Sequence, residues 1–505
     1  MKGRNISVVN DLSVEEQRHL YAIAAKVKEK VDRGVFPEHD ARKAAYLLFF
    51  EDSTRTKESF RNAAATLNFR TNMFDSANSS INKFETVTDT VRMLCGYTAM
   101  QTVFIVRSKI EGLCKALSDS MTEYAERAGV DVPCFVNAGD GRHEHPTQEF
   151  LDEFSFLEQL GNSTASIHIA LVGDLLLGRT VHSKADGLRI FNKVVVDLVA
   201  PPELQLPLAY VSRMRKNGFE LNFFNSLDQY FAKTKSVAPI LYFTRLQLER
   251  MDKSLVEHED RLRVATSLRM EMLEKLPAKC KIYHPLPRHG QLPEIPFEVD
   301  RTEFNGYDQQ SRNGYFVRTA LLGLITGIYS SPVATEPVPK GVRADVPSQR
   351  TEPLPHDSIR DSFFDHADAW IEVDVADAGE YMQKFARMSG LQNGNFISRV
   401  EGPRAWHSIP LSAIENTKWV ELFFIFFAGC GPKILTKNPG WNLTTLTVSS
   451  VENHAGLRCP NTACVSNPES RQRDVAARFH QSQISNRHFS CRFCETEARG
   501  VDLFM

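Results

Sequence analysis

Five short stretches of this 505-residue sequence combine side chains that hold or polarise oxyanions, and each follows an apolar run. Asp52-Ser53-Thr54-Arg55-Thr56 comes after AYLLFF (45–50) and before KESFRNAAATL. Strand, polar loop and helix start place free backbone N–H groups, hydroxyls on Ser53, Thr54 and Thr56, and the Arg55 charge where a phosphate fits. A plain helix cap with a surface arginine fits the same spacing. His145 stands before Pro146 in NAGDGRHEHPTQEFLD (137–152), where proline forces an extended entry to a helix. A histidine there polarises an oxygen or serves as a cap. VGDLLLGRTVHS (172–183) carries Gly173-x4-Gly178-Arg179-Thr180, one residue away from a P-loop. A P-loop needs lysine at position 179; the planar arginine fork suits a carboxylate instead. In TRLQLER (244–250), Arg245 and Gln247 face alike if the chain stays extended. They read as a second carboxylate clamp or as a solvated charge run. HPLPR (284–288) is a loop stiffened by two prolines whose carbonyls are free to accept.

None of these stretches supplies a Ser–His–Asp set or a metal-ligand set. Together they describe a polyanion pocket for phosphate and carboxylates, with no covalent nucleophile and no catalytic metal. The elements that must position them are short apolar runs: 45–50, TVFIVR (102–107), IHIALV (167–172), KVVVDLV (193–199), PILYFT (239–244) and KIYH (281–284). Helix-length segments such as Lys57–Leu67 and Gln148–Leu160 lie between them. This alternation predicts α/β architecture with parallel sheets, in two subdomains. Sites of such sheets lie at the carboxyl ends of the strands, which is where the polar stretches fall.

The chain is long enough for two to four domains, since a single core rarely passes about 250–300 residues. It is 42% hydrophobic and 24% charged, with mean hydropathy −0.29, an ordinary globular composition. Sixty Lys and Arg against 62 Asp and Glu leave a formal charge of −2, which argues against a generally basic nucleic-acid binder. The start, MKGRNISVVNDLSVEEQ, lacks the apolar core of a secretory signal. The most apolar run, Val420–Ala428 (VELFFIFFA), falls far short of the ~20 residues of a membrane span and reads as a buried strand. Nine cysteines, five scattered and four clustered, do not form a secreted disulfide framework, so a reduced, cytoplasmic protein is expected. Residues 331–355 contain six prolines and no apolar periodicity, and predict an extended linker (331–358) before a C-terminal unit.

In order and approximate spacing, STRT (53–56), HPTQ (145–148), GRT (178–180), TRLQ (244–247) and HPLP (284–287) resemble the motifs of transcarbamoylases, specifically aspartate transcarbamoylases. The resemblance covers about residues 1–330. It implies a carbamoyl-phosphate domain (1–150) completed by a C-terminal helix (305–330), and an aspartate domain (151–304). The implied reaction turns carbamoyl phosphate and L-aspartate into N-carbamoyl-L-aspartate and phosphate, early in pyrimidine biosynthesis. By the same resemblance Ser53, Thr54, Arg55, Thr56 and Arg107 hold phosphate. Thr56, Arg107 and His145 polarise the carbamoyl oxygen. Gln148 and the carbonyls of Pro285 and Leu286 orient the carbamoyl NH₂ and the amine. Arg179 clamps the α-carboxylate of aspartate, Arg245 and Gln247 take its side-chain carboxylate, and Thr180 and the catalytic Lys83 also bind aspartate. Residues 76–86 (SANSSINKFET) resemble a mobile loop through which a neighbouring subunit lends Ser80 and Lys83. That implies a homotrimer, with pairing of trimers left open. Phe84 departs from the glycine usual after the lysine and stiffens the loop.

Cys459-x4-Cys464 and Cys491-x2-Cys494, separated by 26 residues, suit a closed tetrahedral Zn²⁺ site with a structural role. A domain of about 50 residues needs such a staple. CPNTACVSNPE (459–469) and HFSCRFCET (488–496) resemble the zinc domain of the regulatory chain of bacterial aspartate transcarbamoylases, and Ile414-Glu415-Asn416 matches upstream. The chain thus resembles a fusion of catalytic and regulatory chains, with allosteric control implied. A small α+β domain (359–452) would precede the zinc-binding β domain (453–505). Its nucleotide site departs from the family: Ala413 stands where a lysine is usual, and LTTLTVSSVEN (443–453) offers no second one. Control by CTP or ATP in the usual manner is therefore not expected. Two rival readings remain at this stage. One is transfer to ornithine or another amine, which HPLP and Arg245-x-Gln247 disfavour. The other is a P-loop-like nucleotide switch with a zinc nucleic-acid module, which the missing P-loop lysine and the balanced charge disfavour.

Overall fold

In the computed structural model, the apolar runs and intervening helices form two parallel sheets within one unit, residues 1–336. The structure describes residues 1–74, 85–97, 100–247, 251 and 256–331 of the N-terminal part. Beyond these it describes 348–353, 369–374, 383–385, 387–388, 397–401, 404–410, 418–436, 442–448, 450–452, 457–472, 475–482, 485 and 487–504. Ser80, Lys83 and Phe84 lie outside the described residues, as do Ala413–Asn416 and most of the expected linker.

The first sheet begins after helix α1 (Val14–Asp32), whose N-cap Ser13 forms a reciprocal capping box with Glu16. Then follow β1 (Lys43–Phe49), α2 (Thr54–Thr66), β2 (Arg70–Met73), α3 (Val87–Gly96), β3 (Gln101–Ser108), α4 (Leu113–Ala128), β4 (Cys134–Asp140) and α5 (Pro146–Gln159). The strand order is β2-β1-β3-β4, so the order reverses between β1 and β3. There Phe49 pairs with Arg107. β3 and β4 are buried almost throughout, as expected when helices cover both faces of a sheet.

The second sheet contains β5 (Ser166–Val172), then the short helices α6 (Arg179–His182) and α7 (Lys184–Gly187), then β6 (Lys193–Val199). It continues through α8 (Leu208–Lys216), β7 (Glu220–Phe224), α9 (Leu227–Lys233), β8 (Ile240–Phe243), α10 (Glu259–Thr266) and β9 (Lys281–Tyr283). Its order, β7-β6-β5-β8-β9, reverses between β5 and β8. Each sheet is thus doubly wound, as expected. Helix α11 (Tyr307–Thr326) returns to pack on α1, α2 and α5 of the first sheet. The boundary expected at residue 150 falls inside α5, which runs unbroken to Gln159. The step between sheets lies at residues 160–165, because α5 is buried on nearly every side and has no exposed point at which to stop.

The second unit, residues 337–505, holds two antiparallel sheets. The larger contains β10 (Ser348–Pro353), β11 (Ala369–Asp374), β12 (Ile397–Glu401), β13 (Arg404–Pro410), β14 (Lys433–Thr436) and β15 (Asn442–Thr447), with helix α12 (Lys418–Phe426) between β13 and β14. The smaller runs β16 (Ser450–Glu452), β17 (Arg478–Gln481), β18 (His488–Cys491) and β19 (Glu497–Arg499) in sequential order. Two expectations are corrected here. Residues 348–353, inside the expected linker, pair with β15, because backbone pairing needs no apolar periodicity. The run VELFFIFFA is mainly helical, not a strand. Phe423, Phe426 and Phe427 recur at helical spacing and surround Phe385, with ring centroids 5.2, 5.5 and 5.9 Å away.

Candidate functional site

STRT and Arg107 follow or end β1 and β3, and GRT and TRLQ follow β5 and β8, the two points where strand order reverses and open α/β sheets present a crevice; HPTQ and HPLP follow the edge strands β4 and β9. Ser53 occupies the N-cap position of α2 but makes no side-chain cap bond. Its hydroxyl and the first N–H groups of the helix are not spent on one another, in contrast to Ser13 on α1. His145 likewise sits at the N-cap of α5 without a side-chain cap bond, with Pro146 supplying the first helical φ. The capping alternatives weighed from sequence are therefore not the ones observed.

Thr56 Oγ1 lies 3.4 Å from His145 Nε2, so residues 89 positions apart face a common point. The His145 backbone N–H donates to Ser183 Oγ at 3.1 Å, fixing the ring from the second sheet. Burial lowers the His145 pKa well below the usual imidazole range, and Arg107, Arg179, Arg318 and Arg55 add to this in that order. The ring is a neutral donor at physiological pH, suited to polarising an oxygen without being consumed as an acid. Arg55 opens to solvent, yet loss of hydration brings its guanidinium down to about 10, with Tyr242 opposing and Arg245 reinforcing the drop. It remains a cation at neutral pH.

Arg107 is nearly buried and donates to the Ala138 carbonyl at 3.0 Å. Arg179 donates to the Gly141 carbonyl at 3.0 Å. Both guanidinium groups meet Glu51 Oε2, at 3.2 and 3.1 Å. One carboxylate thus ties the end of β3 to the start of α6. The close approach needs a bare backbone at Gly139, where a Cβ would lie 2.9 Å from Arg107 Nη1 and 3.1 Å from Arg179 Cζ. Arg245 and Gln247 follow β8. The Gln247 N–H donates to Asp174 Oδ2 at 3.2 Å, while Asp174 Oδ1 accepts from Leu177 at 2.9 Å. Asp174 thereby aligns the loop before Arg179 and Thr180 with the loop bearing Arg245.

In the HPLP loop, His284 Nδ1 accepts from the Leu286 N–H at 2.7 Å, which leaves the proton on Nε2. Burial lowers His284 to about 3, helped by Arg55, Arg288 and Arg245. The ring is a neutral strut that shapes the Pro285–Leu286 turn. Gln148 Nε2 donates to Asp152 Oδ1 at 2.8 Å. This orients the Gln148 amide with its oxygen unspent by that contact.

The structure therefore brings together Thr56, Arg107, His145, Arg179 and Gln148, with Arg55, Arg245 and His284 within electrostatic reach. Sequence reasoning missed four contributors. Glu51 directly precedes the STRT loop, and an acid at a strand end beside two arginine-bearing motifs was its available signal. Asp174 lies in the first turn after β5 and had the same signal. Arg318, buried on α11, donates to Ser59 Oγ at 2.5 Å and lies 5.0 Å from the Phe60 ring centroid. It follows no strand and had no signal of that kind. Asp152 gave only the sign of an acid on a helix with no exposed face.

Four of the five cysteines of the second unit, Cys459, Cys464, Cys491 and Cys494, have their sulfurs within 4.8 Å of one another, all buried. The Sγ–Sγ distance is 3.6 Å for Cys459–Cys494 and 3.7 Å for Cys464–Cys491. Sulfurs about 2.3 Å from a central ion stand about 3.8 Å apart in a tetrahedron, so the set fits Zn²⁺. Outer groups support it: Asn467 Nδ2 donates to the Cys459 carbonyl at 2.8 Å, and Thr496 Oγ1 lies 3.1 Å from Cys494 Sγ. Cys459 and Cys464 come from a loop, and Cys491 and Cys494 from the end of β18 and the turn after it.

Residues 4–158 match the family described as aspartate/ornithine carbamoyltransferase, carbamoyl-P binding domain, and 165–325 its Asp/Orn binding domain. Residues 449–503 match the aspartate carbamoyltransferase regulatory chain, metal binding domain. The chain is 38% identical to protein PyrBI of Thermotoga maritima, covering 98% of this chain and 97% of that one. It is 47% identical to protein PyrBI of Treponema denticola over 332 residues, 64% of this chain and 62% of that one. Among solved structures, it is similar to aspartate transcarbamoylase from Trypanosoma cruzi in complex with N-(phosphonacetyl)-L-aspartic acid. The TM-score is 0.55 at 33% identity, covering 64% of this chain and 95% of that one.

Proposed function

The chain belongs to the aspartate/ornithine carbamoyltransferase family, and we propose how its own residues carry out the transfer. It is an aspartate carbamoyltransferase, joining carbamoyl phosphate and L-aspartate into N-carbamoyl-L-aspartate with release of phosphate. The observation that carries the residue assignment is the convergence of Arg107, Arg179 and Thr56 with a neutral, buried His145.

In this reading the phosphate rests on the uncapped start of α2, held by Ser53, Thr54, Arg55 and Thr56, with Arg107 at its flank. The helix N-terminus and the cations stabilise a dianion that is costly to desolvate elsewhere. Thr56, Arg107 and His145 donate to the carbamoyl oxygen, and their donation strengthens as negative charge grows there. Gln148 Oε1 and the carbonyls of Pro285 and Leu286 hold the carbamoyl NH₂ and direct the aspartate amine at the carbon. Arg179 and Thr180 bind one aspartate carboxylate, and Arg245 and Gln247 the other. The amine nitrogen forms the new N–C bond, the C–O bond to phosphate breaks, and the proton that the nitrogen loses leaves with the phosphate. Positioning two charged reactants against each other's repulsion is the main contribution.

Glu51 acquires a role the sequence did not offer: it neutralises Arg107 and Arg179 and keeps both pointed at the cleft. The Cys459, Cys464, Cys491 and Cys494 set holds Zn²⁺ as a closed structural site. The metal supplies folding energy and no chemistry. A homotrimer in which a neighbour lends Ser80 and Lys83 completes the site. Nine free cysteines accord with a reduced, cytoplasmic setting, and among the described residues no helix is long and apolar enough to cross a membrane. The domain before the zinc site is structural or reads a ligand other than CTP. Titration calorimetry showing micromolar CTP binding would overturn that last point.

The deciding assay gives purified protein carbamoyl phosphate with aspartate and, separately, with ornithine, and identifies products by mass. Carbamoyl aspartate alone is expected. Citrulline would show that Arg245 and Gln247 do not bind the second carboxylate.

A further inference from the structure

Behind the residues assigned to the carbamoyl group lies a buried ion cluster that the chemistry above does not use. Glu149, Asp152 and Glu153 are excluded from solvent and share one face of α5 by their i, i+3, i+4 spacing. Lys184, equally buried, opens α7 opposite them. Its Nζ donates to Glu149 Oε2 at 2.7 Å and to Asp152 Oδ2 at 2.8 Å, and lies 4.1 Å from the Tyr242 ring centroid. Gly187, three residues on, makes room for the acids. A Cβ there would fall 2.2 Å from Glu153 Oε1 and 2.5 Å from Glu149 Oε1.

The far side of the cluster reaches the site. Asp152 Oδ1 accepts from Gln148 Nε2 at 2.8 Å and from Gln310 Nε2 at 2.6 Å. Gln310 Oε1 in turn accepts from the His284 backbone N–H at 3.0 Å. One carboxylate therefore joins the HPTQ amide to the start of the HPLP loop, and one lysine faces that carboxylate from behind.

We propose that Lys184 is a positioning residue for carbamoyl transfer: by donating to Asp152 Oδ2 from behind, it fixes the carboxylate that holds the Gln148 amide and the 284–287 loop aligned on the carbamoyl NH₂ and the incoming amine. The proposal rests on the assignment of Gln148 to the carbamoyl group. Its physical basis is the cost of buried charge. Asp152 must be an acceptor on both oxygens to satisfy Gln148, Gln310 and Lys184 together, and a buried acceptor of that kind needs a paired cation. The groups facing the Asp152–Lys184 pair are Glu149 and Glu153 on α5, Tyr21 on α1, Tyr242 on β8, Tyr283 on β9 and Arg318 on α11. Burial raises Glu149 to about 7, with Lys184 opposing, and raises Glu153 further, with Glu149 reinforcing. Burial alone would lower Lys184, but Asp152 and then Glu149 hold it above the ordinary lysine value. Without that cation Asp152 Oδ2 loses its partner, and nothing on that side keeps Oδ1 turned toward the two amides that donate to it.

The test compares full-length Lys184→Met, Lys184→Met/Glu149→Gln and Gln148→Ala with the parent protein. The double variant removes one cation and one anion, so it keeps the net charge of the cluster if the single one fails to fold. Folded fraction is read by thermal unfolding, and kcat and both KM values are read across the neutral pH range. Expected is a fall in kcat of about 10²-fold in the folded Lys184 variants, with little change in KM for aspartate. In Lys184→Met the acid limb of the kcat profile should also move up, because Lys184 is the group that holds the Glu149 carboxyl down. A folded Lys184 variant, single or double, with parental kcat and pH profile overturns the proposal. Loss of fold in both assigns Lys184 to stability alone and overturns it too. Near-normal kcat in Gln148→Ala sinks instead the assignment on which the proposal stands.

Discussion

The cleft of the first unit and the cysteine cluster of the second both crowd like charges together, by different means. The cleft gathers arginines from Arg55 to Arg318, contributed by strand ends and helices far apart in sequence, and sets Glu51 between two of them. The cluster draws its sulfurs from one loop and the end of one strand, and pairs them without a protein counter-charge among its ligands. The cleft is thus organised by packing of two large sheets, which hold its charges apart and oriented before any substrate arrives. The cluster is arranged as a ligand set for one metal ion: four cysteine sulfurs lie within 4.8 Å of one another in a stretch that matches a metal binding domain.

Metal removal should break the comparison most sharply. Chelation, or Cys464→Ser, withdraws on the order of 10 kcal/mol of folding energy from a domain with little core of its own. Hydrogen exchange should then show lost protection across residues 449–503 with the parallel-sheet amides unchanged. Retained protection there would contradict the structural role of the metal. Arg55→Ala comes next. The phosphate loses its charged contact at the start of α2, and kcat/KM should fall about 10³-fold with the thermal midpoint nearly unchanged. Turnover close to normal would refute the phosphate assignment.

Gly173→Ala tests whether packing sets the cleft. A Cβ at this φ of +117° would lie 2.2 Å from the Thr244 carbonyl, so β5 and β8 must part. About 2 kcal/mol of destabilisation is expected, together with a rise in KM for aspartate larger than that for carbamoyl phosphate, since Arg245 follows Thr244 directly. Equal rises would place Arg245 outside the aspartate site. The smallest effect is protonic. His145 has a folded pKa below its unfolded one, so its contribution to stability is complete above about pH 6.5 and is lost as pH falls, by about 1.4 kcal/mol per unit. Nitrogen NMR of labelled histidine should find the ring neutral at about pH 6; an imidazolium there would mean that burial and the four guanidinium groups do not govern its protonation.

Much of the site was legible because its residues sit at strand ends, where composition and spacing expose them. Thr56, His145, Arg179 and Arg245 follow apolar runs and precede helices or loops, a pattern that depends on local sequence alone. Arg318 and Lys184 carry no such mark. Each lies on a helix whose burial depends on a partner distant in the chain, so an ordinary helical cation and a buried one look the same in sequence. The helix at 418–426 was misread for a related reason. An almost unbroken apolar run fits a buried strand and a buried helix equally, and only Phe385, more than thirty residues away, reveals the helical face. The strand at 348–353 is hidden by Pro353 and the flanking Pro347 and Pro355, which mark extended chain but not whether that chain finds a partner.

By itself the sequence determined the α/β class, the order of the motifs, the chemistry of their residues and the four-cysteine ligand set, because each depends on residue type at short range. Tertiary structure alone decided that Ser53 and His145 leave their helix starts open, that Glu51 joins Arg107 to Arg179, and that Asp152 links two motifs with Lys184 behind it. The Glu51–Arg107, Glu51–Arg179, Asp152–Lys184 and Asp152–Gln310 contacts join residues 32 to 158 positions apart, and their energies come from burial, which no local pattern encodes.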